Sequence, residues 1–217
     1  GTPDEAERAS KLVERLLQAA PNDTRVLDLK VTLSMNQGET DEARTWAEKL
    51  VSLNKNSPTG YRALGLIALM NGQRADAIQY YQRAVLLQKE PGTLNNLAYL
   101  YLERGDLPLA EVTAREGLKL APEDPFLLDT LGSILDRSGK PEDALSAFRK
   151  ACEGAESLPP QTQATLYYHL GTLLARSDDP VRLLEAKAAL NNANEVRQFL
   201  DSDQQTQLDQ ALKKVND

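Results

Sequence analysis

Between residues 58 and 90 the apolar positions follow helical spacing twice over. Tyr61, Leu64 and Ala68 stand at i, i+3 and i+7, one face of a helix. Ser57 is placed to cap that helix and Pro58 to open it. Asn71-Gly72 ends it, since glycine accepts the left-handed backbone of a tight turn. A second stripe follows in Ala77, Tyr81 and Ala84, and the chain turns again at Pro91. The same arrangement recurs as Leu94, Leu97, Ala98 and Tyr101, a turn at Gly105, then Ala110, Ala114 and Gly117, closing at Pro122. It recurs once more from Asp124-Pro125 through Leu128, Leu131, Gly132 and Leu135, with a turn at Gly139 and a stripe of Ala144, Phe148 and Ala151.

The repetition is metric. Gly38, Gly72, Gly105 and Gly139 follow one another at 33 or 34 residues, and each is trailed five residues later by Ala43, Ala77, Ala110 or Ala144. Ala9 extends the alanine series one step back. Self-similarity at this period predicts an all-α stack of antiparallel helix pairs in which each unit shelters its neighbour. The small residues have a mechanical role, because two helices joined by a short turn approach closely only where side chains are small. The expected division is one array over 1–217. It holds a half unit over 3–21 (a second helix without its first), pairs over 24–57, 58–90, 91–124, 125–158 and 164–198, and a closing helix over 202–215.

The flanks depart from the pattern. Lys30-Val31 stands where Leu-Gly is expected, so the first helix of 24–57 packs less regularly. The 164–198 unit is delayed by five residues around Pro159-Pro160, and its turn is lengthened through Asp178-Asp179-Pro180. Insertions of this kind map to loops, sometimes on a functional face and more often as tolerated length variation. At the start, Ala9, Val13, Leu16 and Pro21 match a second helix, which predicts a partly exposed stripe and further sequence ahead of it. At the end, Ser202-x-x-Gln205 reads as a capping box, followed by a narrow stripe of Leu208, Ala211, Leu212 and Val215.

Tyr61-x-x-Leu64-Gly65, Leu94-x-x-Leu97-Ala98-x-x-Tyr101 and Leu128-x-x-Leu131-Gly132, each with its turn glycine and following alanine, resemble the tetratricopeptide repeat family. The resemblance implies a right-handed α-solenoid with a C-terminal capping helix, acting as a non-enzymatic scaffold that binds protein or peptide. The stretch Leu94 to Leu131 also resembles bacterial repeat proteins of exopolysaccharide export and exosortase systems. That likeness offers a second reading, a structural module of an envelope secretion assembly.

Charge and composition narrow the partner. The 217 residues carry a net charge of −7, which disfavours nucleic acid and anionic membrane surfaces. The longest near-apolar run, Leu64 to Met70, is far short of a membrane span. The compartment, cytoplasmic or periplasmic, is not fixed by the sequence. His169 is the only histidine and Cys152 the only cysteine. There is no HExxH, no GxSxG and no phosphate-binding loop, so no catalytic residue, metal or cofactor is expected. Asp178-Asp179 and Asp201-x-Asp203 sit where acids cap helices. Cys152 is expected to be a partly buried, inert thiol.

In the family, the first helices of successive units line a concave groove. Carried over by position, the groove residues are Asp28, Thr32, Met35, Arg62, Leu66, Asn95, Asn96, Tyr99, Leu102, Glu103, Asp129, Ser133, Asp136, Arg137, Tyr168 and His169. They form an apolar patch (Leu66, Tyr99, Leu102) between charged ends, suited to a segment with an apolar anchor. Tyr99 is the candidate anchor, and Asn96 the candidate for holding a ligand backbone. A two-carboxylate clamp of the family's kind is not expected, because Leu66, Phe126 and Thr130 replace its polar and basic residues. Trp46 and Tyr80, 34 residues apart on successive second helices, form an outer interface suited to homo-oligomerisation if exposed, and only core if packed.

Overall fold

In a computed structural model, which describes residues 3–216, the turn glycines adopt the expected backbone. Gly38, Gly72, Gly105 and Gly139 all have φ between 71° and 87°. The described residues form twelve α-helices and no strand: α1 (Pro3–Ala19), α2 (Thr24–Gln37), α3 (Thr40–Leu53), α4 (Pro58–Met70), α5 (Arg74–Leu87), α6 (Pro91–Arg104), α7 (Leu107–Leu120), α8 (Pro125–Arg137), α9 (Pro141–Ala151), α10 (Pro160–Leu174), α11 (Pro180–Glu195) and α12 (Ser202–Asn216). Single 3₁₀ turns lie at Ala155–Ser157 and Arg197–Phe199. The chain divides into two compact units, one ending at Leu100 and one beginning at Tyr101.

In the first unit α2 packs on α3 and α4 on α5. The Ser57 hydroxyl accepts from the Gly60 amide at 3.1 Å, capping α4. Gly65 lets α4 approach α5, since a Cβ there would lie 2.8 Å from the Tyr81 ring. Ala43, Ala77 and Ala84 are fully buried, as the period requires.

The stripe of α1 is partly exposed, as expected of a second helix without its first. Val13 and Leu17 of α1 are buried, whereas Ala9, Leu12 and Leu16 are exposed. At the equivalent positions of α3, Ala43 and Leu50 are buried because α2 covers them. Lys30, irregular in the sequence, is buried, and its ammonium reaches Glu14 of α1 and Glu42 of α3, both at 3.0 Å. The Ser34 hydroxyl also donates to Glu42 at 2.9 Å. Burial alone would lower the Lys30 amine and raise the Glu42 carboxyl. Hydrogen bonding outweighs it (Lys30 with Glu14 and Glu42; Glu42 with Lys30, Ser34 and Glu39), so that Lys30 is raised and Glu42 falls to about 2.

In the second unit α8 pairs with α9 and α10 with α11, and α12 packs on both α10 and α11. Asp124 caps α8 by accepting from the Phe126 and Leu127 amides, both at 3.0 Å. Asp179 caps α11 through Val181 at 2.9 Å. A Cβ on Gly132 would lie 2.5 Å from Phe148, and one on Gly171 would lie 2.8 Å from Leu190. The capping box of α12 sits one residue earlier than the sequence reading placed it. Asp201 accepts from the Gln204 amide at 2.8 Å, and Gln204 accepts from the Asp201 amide at 3.1 Å. Gln205 instead ties down the preceding turn by donating to the carbonyls of Arg197 and Leu200. The delayed loop is fastened too: Gln163 donates to the carbonyls of Glu156 and Leu158, and Tyr167 donates to the Glu156 carboxylate.

Candidate functional site

On the first unit, the helix face left by the core stripe carries Thr32 on α2, Leu66 on α4 and Tyr99 on α6, all exposed. Leu66 and Tyr99 occupy equivalent positions one repeat apart and keep 36% and 42% of their surface. Asp28, Met35 and Arg62 are half-buried beside them. Arg62 pairs with Glu90 at 2.7 Å and donates to the Thr59 hydroxyl at 3.1 Å. One amide N–H of Asn96 donates to the Tyr81 hydroxyl at 3.0 Å, so Asn96 braces α6 on α5. Its neighbour Asn95 is the group left open: the Asn95 Oδ1 is buried and has no hydrogen-bond partner among the described residues.

On the second unit, the corresponding face is a pocket of about 260 Å³ bounded by α8, α10 and α12. It joins Ser133, Asp136, Arg137, Tyr168 and His169 from the sequence reading with Thr172, Arg176, Gln204 and Gln207, which that reading missed. The Phe148 and Tyr168 rings lie 5.6 Å and 5.4 Å from the His169 ring. His169 Nδ1 is 2.7 Å from Asp129 Oδ1. Burial by itself would lower the imidazole's pKa, but the Asp129 carboxylate, helped by Asp136, leaves it raised. Arg176 binds both oxygens of Asp136, at 2.8 and 3.0 Å. Arg137 donates to the Leu102 carbonyl at 2.9 Å.

The structure corrects Leu102 and narrows the reading of Tyr168, which lines the pocket with little open surface. Leu102 is only 5% exposed, in a turn that Arg137 of α8 reaches across to bond. Tyr168 is 6% exposed because α12 folds against α10, and its hydroxyl donates to Gln207 at 2.7 Å. Glu103 and Arg137 are exposed. Trp46 and Tyr80 are half-buried against the first unit's core, with Lys49 5.3 Å over the Trp46 ring, which favours the core reading over a fully open aromatic patch. The Cys152 thiol is pushed up to about 12 by burial and by the carboxylates of Asp129, Glu156 and Glu185, which makes it a poor nucleophile.

A family model described as tetratricopeptide repeat matches residues 29–92 and 62–125. The photosystem I assembly protein Ycf3 of Synechococcus sp. is 30% identical over 118 residues, and the match covers 48% of this chain and 68% of that protein. The chain belongs to the tetratricopeptide repeat family. Two other relatives are longer. A TPR repeat-containing protein of Synechococcus elongatus is 29% identical over 196 residues, covering 70% of this chain and 48% of its own. The cytochrome c-type biogenesis protein CycH of Rhizobium meliloti is 31% identical over 138 residues, covering 62% and 36%. The chain thus spans about half or less of these two relatives.

Among solved tetratricopeptide structures, YrrB, described as having an unusual peptide-binding site, superposes with a TM-score of 0.69 at 16% identity, covering 93% of this chain and 97% of that one. The Cut9–Hcn1 assembly of the APC/C gives a TM-score of 0.77 at 17% identity, covering 95% and 40%. At such identities the likeness establishes the fold. The family supports a role in protein interaction. No described helix is long and apolar enough to cross a membrane.

Proposed function

We propose that this chain is a non-enzymatic scaffold whose first-helix faces hold a segment of a partner protein. The observation that carries the reading is the pairing of Leu66 and Tyr99, exposed at equivalent positions, with the unpartnered Asn95 oxygen on the same helix as Tyr99. An exposed aromatic and an aliphatic one repeat apart suit an apolar anchor. An orphan amide oxygen suits a peptide N–H once its side chain turns to the surface, because a buried acceptor left unsatisfied gains most from a partner.

The names borne by two relatives are those of assembly and biogenesis factors, which favours a partner that is itself a subunit under assembly. The second reading, a module of an envelope secretion assembly, rests on the stretch Leu94 to Leu131. Its most characteristic residues, Leu94, Leu97, Ala98, Leu128 and Leu131, are buried, so they speak for fold more than for partner.

The test begins with capture of partners by the intact protein. Binding of the partner so identified is then measured with Arg62, Leu66 and Tyr99 changed to alanine together. Loss of binding with retained folding supports the reading, and undiminished binding removes it.

A further inference from the structure

We infer that the pocket among α8, α10 and α12 is an anion subsite that takes an aspartate or glutamate side chain of the partner protein. The inference rests on the first-helix faces being the binding faces.

The argument is a census of donors and acceptors. Around the pocket most of the strong acceptors already have a donor. Both oxygens of Asp136 are held by Arg176, Asp129 holds His169, the Gln207 oxygen accepts from Tyr168, and the Gln204 oxygen accepts from the Asp201 amide. The donors are not used up. Arg137 spends one nitrogen on the Leu102 carbonyl, Arg176 spends one on Asp136, and the Gln207 amide nitrogen and the Ser133 hydroxyl complete the wall. A guanidinium carries five N–H groups in a planar fork matched to a carboxylate. A volume near 260 Å³ over the Phe148, His169 and Tyr168 rings admits a single side chain.

His169 makes the subsite responsive to pH. With Nδ1–H given to Asp129, a neutral ring presents a lone pair at Nε2, whereas the imidazolium presents a donor there. The ionisable groups around it are Asp129, Asp136 and Arg137 from α8, Cys152 after α9, Tyr168 from α10, Arg176 in the turn after it, and Asp201 ahead of α12. Cys152 and Tyr168 are pushed up and stay neutral through the relevant range. Carboxylate binding therefore tightens as pH falls from ~8.5 to ~5.5, above the ordinary pKa of a glutamate side chain.

His169 is the only histidine, so its imidazole gives one resolved NMR signal in the intact chain. The probe is N-acetyl-glutamate methylamide. The expected result is a saturable shift of that signal, a rise in the His169 pKa, and binding about tenfold weaker in Arg137→Gln. The Gln207→Glu variant, which places a carboxylate on the same wall, should abolish the shift, and it decides the matter if Arg137→Gln fails to fold. No shift, or an equal shift with N-acetyl-glutamine methylamide, overturns the subsite. Tighter binding of N-acetyl-alanine overturns the side-chain assignment in favour of a chain-terminal carboxylate. If partner binding depends on Leu66 and Tyr99 while the probe leaves His169 unmoved, only this inference falls. If the probe binds but the partner ignores Leu66 and Tyr99, the subsite stands and the scaffold reading falls.

Discussion

His169 and Asp129 stand 40 residues apart in the chain and 2.7 Å apart in space, Nδ1 to Oδ1, joining the first helices of successive repeats. The pair ties α10 to α8 at the floor of the pocket and holds the imidazole's pKa above its ordinary value. A group whose folded pKa is raised contributes stability that is fully present below its unfolded value and is lost as pH rises through the folded one. The difference in urea stability between the parent and His169→Asn should therefore be about 1.5 kcal/mol below pH ~6 and shrink above the folded pKa. A constant difference across that range would show that the pair contributes no charge-dependent stability.

Lys30 fastens three helices, and its two partners differ in what they lose. Glu14 and Glu42 keep 54% and 41% of their side-chain surface, so water relieves either one when Lys30 is removed. Lys30→Ala should cost about 1–2 kcal/mol, less than breaking a fully buried pair. Lys30→Met should cost less, since it keeps the packing of the stem. The depressed Glu42 adds stability present above its unfolded value near 4.5 and lost as pH falls toward about 2. Urea titrations of both variants at neutral and acid pH check this, and the Lys30→Ala deficit should narrow in acid.

Gly132 and Phe148 test the helix-pair packing. A methyl group at Gly132 would meet the ring at 2.5 Å, so Gly132→Ala should destabilise by about 1–3 kcal/mol. Combining it with Phe148→Leu, which withdraws the ring, should recover part of that loss in a double-mutant cycle.

On the binding side, Tyr99→Ala should weaken the partner by about 2 kcal/mol while leaving thermal stability nearly unchanged, because the ring is exposed. Calorimetry with the captured partner measures the first, and a melting curve measures the second.

What the sequence revealed and what it hid divide along local and distant causes. The turn glycines, the buried alanines and the caps Ser57 and Asp124 depend on residues a few positions away, and they were legible. The near-complete burial of Tyr168 was hidden because its cover, Gln207 on α12, lies 39 residues downstream. The bracing contact of Asn96 was hidden because its partner, the Tyr81 hydroxyl, lies on the preceding helix. Thr172 and Arg176 could have been found by counting from Gly171 as Ser133 and Arg137 are counted from Gly132. Lys30 showed its irregularity but not its resolution, which needed acids from two other helices at once.

Photo-crosslinking is the most direct test of the central claim. A benzophenone side chain is placed in turn at Leu66 and Tyr99 on first helices, and at Leu86 and Val112, which are exposed on second helices. The account predicts that the partner is captured from positions 66 and 99 and not from 86 and 112. Capture from positions 86 and 112 alone would contradict it.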